Sequence, residues 1–348
     1  MLTVGLIAVA LWSFTTLARV PMRLRLGLLA LLWLAVVVLH LILPEGAPLR
    51  QATGGDARPW AALAIVAGLV WAYRALLIRL RARATAQAPA PAGPTPTFSE
   101  AELHRYARHM ILREIGGPGQ KALKNAKVLV IGAGGLGSPA LLYLAASGVG
   151  TIGVIDDDTV EGSNLQRQVI HTDDRIGMPK VFSAQAQMTA LNPFITVRPY
   201  QRRLTEDDAA ALFADYDLIL DGTDNFDTRY LANRIAARLG KPLIAAAITQ
   251  WEGQISLYDP ARGGPCYECV FPERPAPGLV PSCADAGVVA PLPGVLGSMM
   301  ALEAIKLLTG AGEPLRGAML IYDGLYGETR RIGIRKRADC PACGQPHP

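Results

Sequence analysis

Residues 132–137 read Gly-Ala-Gly-Gly-Leu-Gly and follow directly on the apolar run 128–131. A second apolar run, 151–155, ends at Asp156. Together they form the fingerprint of a strand–turn–helix unit that receives a nucleotide. The glycines let the backbone approach a phosphate, the helix N-terminus faces it, and an acid after the second strand accepts ribose hydroxyls. Taken alone, Gly132, Gly134, Gly135, Gly137 and Asp156 suit NAD as readily as ATP. The segments that follow favour ATP. Ser163-Asn164-Leu165-Gln166-Arg167-Gln168, then Gly177-Met178-Pro179-Lys180, then Thr223-Asp224-Asn225 supply an amide, a guanidinium, an ammonium and a carboxylate. That set suits a triphosphate and its metal better than a hydride carrier.

The rest of the chain after residue 98 alternates in the same way. Short β-like runs at 128–131, 151–155, 196–200, 218–220, 243–246 and 254–258 are separated by helical stretches at 138–147, 180–191, 207–213 and 228–239. Such alternation, with a glycine-rich first turn, predicts an α/β fold with a doubly wound, mostly parallel Rossmann-like sheet. Ser99 with Glu102 three residues on is a capping box that opens a helix before the first strand. Residues 263–293 read as loop, 295–308 as an apolar helix and 319–323 as a last strand.

The front of the chain is of another kind. The overall hydrophobic content of 51% is concentrated there, in three apolar segments at 2–18, 26–43 and 60–78. The second is long enough to cross a bilayer core, and Arg74 near the end of the third can snorkel. Arg19, Arg23 and Arg25 separate the first two segments, and Arg79, Arg81 and Arg83 follow the third. The positive-inside rule then puts the N-terminus outside and everything after Arg79 in the cytoplasm. Three spans give the same answer by parity, and the first segment lacks the basic start of a cleaved signal peptide. The division is a membrane anchor over 1–84, an Ala/Pro-rich linker over 85–97 and a globular domain over 98–348. The linker composition gives an extended spacer. The net charge of +5 carries no basic stripe with interleaved aromatics, so no nucleic acid is expected as a partner.

Five cysteines remain. Cys266-x-x-Cys269 and Cys340-x-x-Cys343 have the spacing of two knuckles that wrap a tetrahedral Zn2+. With no histidine and no open position, the site is structural, tying the C-terminal tail to the sheet. Cys283 stands alone in the loop 281–287.

The order of these motifs resembles the ThiF/MoeB/HesA family, bacterial relatives of ubiquitin-activating enzymes. The resemblance runs through R-Y-A-R-H at 105–109, G-A-G-G-L-G, D-D-D-T-V with S-N-L-Q-R-Q, and G-M-P-K. It continues through D-G-T-D-N, E-G-Q at 252–254, C-Y-E-C, A-P-L-P-G-V-L-G at 290–297 and C-P-A-C. It implies ATP-dependent adenylation of a protein's C-terminal carboxylate with release of pyrophosphate. Gly135 then lies where the backbone meets the nucleotide, and Asn164, Arg167 and Lys180 would neutralise the phosphates. Ser163, Leu165, Gln166 and Asn225 complete the nucleotide segments, and Asp224 resembles the aspartate that holds Mg2+. Arg108 matches an arginine that reaches the ATP of the other subunit, implying a homodimer. Cys283 resembles a loop cysteine that in some members bonds to the carrier or relays sulfur. His109 and His171 read as structural hydrogen-bonders.

The substrate expected on this resemblance is a ubiquitin-like sulfur carrier protein with a Gly-Gly C-terminus, in thiamine or molybdopterin type chemistry. The chain ends five residues after Cys343 with no rhodanese-like extension, so a separate sulfur donor protein is expected. The alternatives are adenylation of a peptide or a tRNA base, and a membrane-tethered NAD(P)-dependent oxidoreductase. A non-catalytic membrane scaffold is a further one, against which stand the intact Arg108, Arg167, Lys180 and Asp224.

Overall fold

The computed structural model describes residues 2–87, 97–275 and 286–344 and divides into two compact units, residues 1–95 and 96–348. The N-terminal unit is helical: α1 (Leu2–Leu17), α2 (Met22–Ile42), the short α3 (Pro48–Ala52) and α4 (Arg58–Gln87). Most of its large apolar side chains are exposed; Val4, Val36 and Trp60 are buried together, with Leu32, Trp33 and Val37 half-buried against them. Where the chain turns between α2 and α4, polar groups pair among themselves. Trp60 Nε1 donates to Thr53 O at 3.2 Å, and Trp33 Nε1 donates to Trp60 O at 3.1 Å. The helix Met22–Ile42 and the stretch Arg58–Leu80 are long and apolar enough to cross a membrane, at 21 and 23 residues. At 16 residues, α1 falls short of the ~30 Å core of a bilayer.

The C-terminal unit opens with α5 (Glu100–Met110), whose capping box forms as the sequence predicts. Ser99 Oγ accepts from Glu102 N–H, and the Glu102 carboxylate accepts from Ser99 N–H at 2.9 Å. A helix the sequence did not announce, α6 (Gly116–Asn125), leads into the sheet. The strands are β1 (Lys127–Ile131), β2 (Thr151–Ile155), β3 (Thr196–Tyr200), β4 (Leu218–Asp221), β5 (Leu243–Thr249), β6 (Glu252–Tyr258), β7 (Ala318–Asp323) and β8 (Glu328–Gly333). Between them run α7 (Gly137–Ser147), α8 (Lys180–Leu191), α9 (Glu206–Ala214), α10 (Phe226–Arg238), α11 (Tyr267–Val270) and α12 (Pro291–Thr309).

The sheet order is β3-β2-β1-β4-β5-β6-β7-β8. The first five are parallel, as in a Rossmann sheet, while β6, β7 and β8 add antiparallel. The sheet is therefore mixed, and "mostly parallel" describes only the β3-to-β5 half. The antiparallel half arises because β5 and β6 are joined by a tight turn at Gln250–Trp251, which leaves no room for a crossover helix. Strand β8 was missed because both its faces are exposed and its sequence has no apolar alternation. Two apolar layers cover the sheet, one centred on α7 and α12, the other on α9 and α10. The helix α12 is apolar enough to cross a membrane by composition, yet Leu292, Leu296, Met300 and Ala304 are buried in the first layer. It is a core helix.

Candidate nucleotide site and cysteine cluster

The strand order reverses between β1 and β4, and the crevice at their carboxyl ends is where such sheets bind ligands. A cavity of about 810 Å³ opens there, floored by Gly132, Gly134 and Gly135 after β1 and by Gly222, Thr223 and Asp224 after β4. Gly137 starts α7 and does not line the cavity. A side chain there would place Cβ 2.0 Å from the Gly132 carbonyl, so this glycine lets the turn close. At Gly135 a Cβ would press on Pro293 of α12 at 3.1 Å, so that glycine also admits the helix beneath.

Asp156, at the end of β2, is held by two backbone donors: Ala133 N–H at 2.7 Å and Asp158 N–H at 2.8 Å. Burial outweighs those bonds and raises its carboxyl above the usual aspartate range. His171 fixes the same turn from below. Its Nε2 lies 2.9 Å from the Ala133 carbonyl and so carries the proton, leaving Nδ1 to accept from Ser183 Oγ at 2.9 Å. The imidazole is therefore neutral, and burial lowers its pKa. It is a structural hydrogen-bonder, and His109, 3.2 Å from Gln120 Oε1, is one too.

Four cations among its lining residues come from the loops and helix after β2 and β3. Lys180, the first residue of α8, is buried with its Nζ 2.8 Å from Asp158 Oδ2. Arg167 donates from Nη2 to Asn164 Oδ1 at 2.9 Å, and Asn164 Nδ2 in turn donates to Glu161 at 3.3 Å. Asn164 thus orients the arginine from outside the cavity wall. Arg202 and Arg203, which sequence reading passed over, also line the cavity; Arg202 pairs with Asp208 and Arg203 with Asp157. The only sequence cue to them was a pair of cations in the loop after β3. Ser163, Leu165 and Gln166 do not line the cavity.

Asp224 is exposed at the cavity, and among the described residues nothing pairs with its carboxylate. Its backbone is fixed on both sides. Asn225 caps α10, its Oδ1 accepting from Thr228 N–H at 2.8 Å, and the Thr223 carbonyl accepts from Arg229 Nη2 at 2.6 Å. Arg229 is a further lining residue that sequence reading missed. It lies beside Asp221, whose side chain is wholly buried. Arg108 is exposed on α5 and is not part of its own chain's cavity. Cys283 lies outside the described residues.

The other site is the cluster of Cys266, Cys269, Cys340 and Cys343, all buried, whose sulfurs lie within 4.8 Å of one another. Contacts of 3.8 Å (Cys266–Cys269), 3.5 Å (Cys266–Cys340) and 3.4 Å (Cys269–Cys343) are too long for disulfides. They approach the ~3.8 Å edge of a sulfur tetrahedron around a cation at 2.3 Å. Without a cation, burial pushes the Cys266 thiol up and the Cys343 thiol to about 11. A cation reverses that cost by taking the thiolates directly. The donor set therefore fits a metal with no open position.

The ThiF family profile matches residues 106–342 of this chain. A sulfur carrier protein adenylyltransferase of Thermus thermophilus is 49% identical over 251 residues, covering 71% of this chain and 93% of that protein. A probable adenylyltransferase/sulfurtransferase MoeZ of Mycobacterium tuberculosis is 52% identical over 246 residues, 70% of this chain but 63% of its own length. The chain thus spans less than two thirds of that relative. Among solved structures, E. coli MccB with ATP superposes with a TM-score of 0.59 at 26% identity, covering 72% of this chain and 77% of MccB.

Proposed function

This chain belongs to the ThiF family, and from that premise we propose that it adenylates the C-terminal carboxylate of a ubiquitin-like sulfur carrier protein. The observation that carries this reading is the cavity at the sheet's switch point, lined by Arg167, Lys180 and an Asp224 whose carboxylate has no partner among the described residues. One carboxylate oxygen of the carrier attacks the α-phosphorus of ATP. The bond from that phosphorus to the pyrophosphate oxygen breaks, leaving an acyl adenylate. No general base is needed, because the carboxylate is already ionised at neutral pH.

Each residue has a part in that step. Asp156 accepts the ribose hydroxyls. Arg167, oriented by Asn164, and Lys180, at the N-terminus of α8, take up charge as it moves onto the leaving pyrophosphate. Asp224 is the oxygen ligand that suits Mg2+ on a triphosphate, which when bound supplies Lewis-acid charge neutralisation. Arg108, exposed and away from its own cavity, fits the reading that it completes the site of a second copy in a homodimer. The four cysteines fit Zn2+ as a structural clasp between α11 and the C-terminal tail.

The N-terminal helices anchor the enzyme in a membrane with the C-terminal unit in the cytoplasm, where ATP is. A separate protein would supply the sulfur, and Cys283 would meet the activated carrier. The oxidoreductase alternative gains nothing from the family match. Adenylation of a peptide or a tRNA base remains a different substrate for the same chemistry.

The test is ATP–pyrophosphate exchange by the purified enzyme with Gly-Gly-terminated carriers from the same organism and with truncated controls. Exchange that requires the intact tail establishes the reading. ATP binding with no carrier-dependent exchange refutes the carrier as substrate. For the cysteine cluster, a strong chelator at neutral pH is expected to release one equivalent of zinc and lower the melting temperature by about 10 °C or more. Scanning calorimetry alongside metal analysis checks this; a zinc-free protein with unchanged melting would refute it.

A further inference from the structure

The amino ends of the parallel strands, opposite the nucleotide cavity, carry a second open depression, of about 330 Å³. Arg262, Arg316, Arg335 and Lys336 line it, arriving from three separate loops: after β6, before β7 and after β8. Arg316 is fixed by the buried Asp259, donating from Nε at 3.1 Å and Nη2 at 2.9 Å. Arg262 stands 3.9 Å from the same carboxylate. Arg335 and Lys336 are exposed, and among the described residues no carboxylate lies within 4.0 Å of either. One buried acid therefore holds two of the four cations, and a single negative charge does not neutralise the group. The concentration is local, because residues 97–348 hold 25 Lys and Arg against 27 Asp and Glu.

The register fixes which end of the sheet this is. Tyr258, the last residue of β6, sits opposite Leu243, the first of β5. The chain enters the unit at the same end. Phe98 packs under Lys124, whose Nζ is 4.9 Å from its ring, and Glu102 pairs with Lys124 at 2.5 Å. Lys124 lies one residue from the end of α6, and its carbonyl lies against Gly150, just ahead of β2. The tether and the four cations thus share one end of the sheet, and the cavity opens at the other.

We infer that this end is a membrane-facing surface whose four cations take the phosphates of anionic lipid headgroups, holding the nucleotide cavity away from the bilayer. The inference rests on the reading of the N-terminal helices as a membrane anchor. The tether keeps this end within reach of the leaflet, and each cation that comes within a Debye length of anionic headgroups contributes to a salt-dependent binding.

The test uses residues 97–348 without the helices, so that it reads the surface and not the anchor. That unit has its own two apolar layers, and the Thermus thermophilus relative is little longer than the 251 residues matched. Co-sedimentation compares vesicles of phosphatidylcholine with vesicles containing phosphatidylglycerol. The expected result is binding to the anionic vesicles alone, lost at high salt, and weakened at least about tenfold in R335E/K336E. The variant's melting temperature and ATP affinity are expected to stay as in the parent. Equal binding to both vesicles, undiminished binding by the variant, displacement by millimolar inorganic phosphate, or preference for RNA over vesicles would each overturn it. Carbonate extraction of the full chain tests the anchor separately, so the two failures are distinguishable.

Discussion

Asp224→Ala is expected to lower carrier-dependent pyrophosphate exchange by about 10²–10³-fold while leaving the fold intact. The effect is large because this carboxylate lies at the cavity beside the glycine turn, with no partner among the described residues and its backbone fixed by its neighbours. The Asn225 cap and the Arg229 bond to the Thr223 carbonyl hold its backbone without using its side chain. The cost to stability is small for the same reason. Asp224 is exposed and has no partner among the described residues, so its removal stays within about 0.5 kcal/mol. Asp224→Asn, which keeps the shape and loses the charge, should fall close to the alanine variant. Exchange kinetics over a range of magnesium, with a melting curve for each variant, give the answer. Exchange within threefold of the parent would show that Asp224 is not the metal-holding acid.

How much of this was legible in the sequence depends on the kind of constraint. The turn at 132–137 was legible because only glycine satisfies it, and the Gly137–Gly132 approach of 2.0 Å for a hypothetical Cβ shows how strict that is. The helix at 180–191 was legible to the residue, since Pro179 fixes its start and an apolar face runs through it. By contrast, α6 opens on Gly116-Gly117, residues that argue against a helix, and forms because Gln120 and Leu123 are buried against the rest of the unit. Strand β8 exists through edge pairing with β7, a tertiary fact with no local signature.

The site divided in the same way. Side chains that meet a ligand come in ordered motifs, so Lys180, Arg167 and Asp224 could be picked out. Side chains that hold those groups in place do not. His171 was legible as a hydrogen-bonder, but its partner, the Ala133 carbonyl, lies 38 residues away in sequence. Ser163, Leu165 and Gln166 stand in the motif yet do not line the cavity, because the 3-10 turn at Gly162–Asn164 carries the chain past it before Arg167 returns.

The Asp221–Arg229 pair lies at the far end of that scale, and a large expected loss of stability follows from it. Asp221 ends β4 inside the motif D-G-T-D-N, with no exposed surface at all. Its Oδ1 accepts from Thr223 N–H at 2.9 Å and Thr223 Oγ1 at 2.6 Å. Its Oδ2 has no hydrogen-bond partner among the described residues and faces Arg229 Nε at 3.6 Å. Arg229 is itself buried, donates to the Thr223 and Ala246 carbonyls, and lies 5.7 Å from the Tyr267 ring. One guanidinium therefore balances a buried charge and ties the β4 loop to β5.

Arg229→Met removes the cation and strands the carboxylate, a change that costs about 3–5 kcal/mol. In a unit of this size that corresponds to a fall in melting temperature of about 10 °C. The double variant D221L/R229M removes both charges and should recover part of that loss, the remainder being the Thr223 and Ala246 groups left without their partners. It should not recover exchange activity, because the Thr223 carbonyl loses its donor and the loop bearing Asp224 is no longer held. Calorimetry and exchange assays on the two variants separate the contributions. If R229M melts within 2 °C of the parent, the pair does not carry the buried charge. If the double variant restores full exchange, Arg229 does not position the loop.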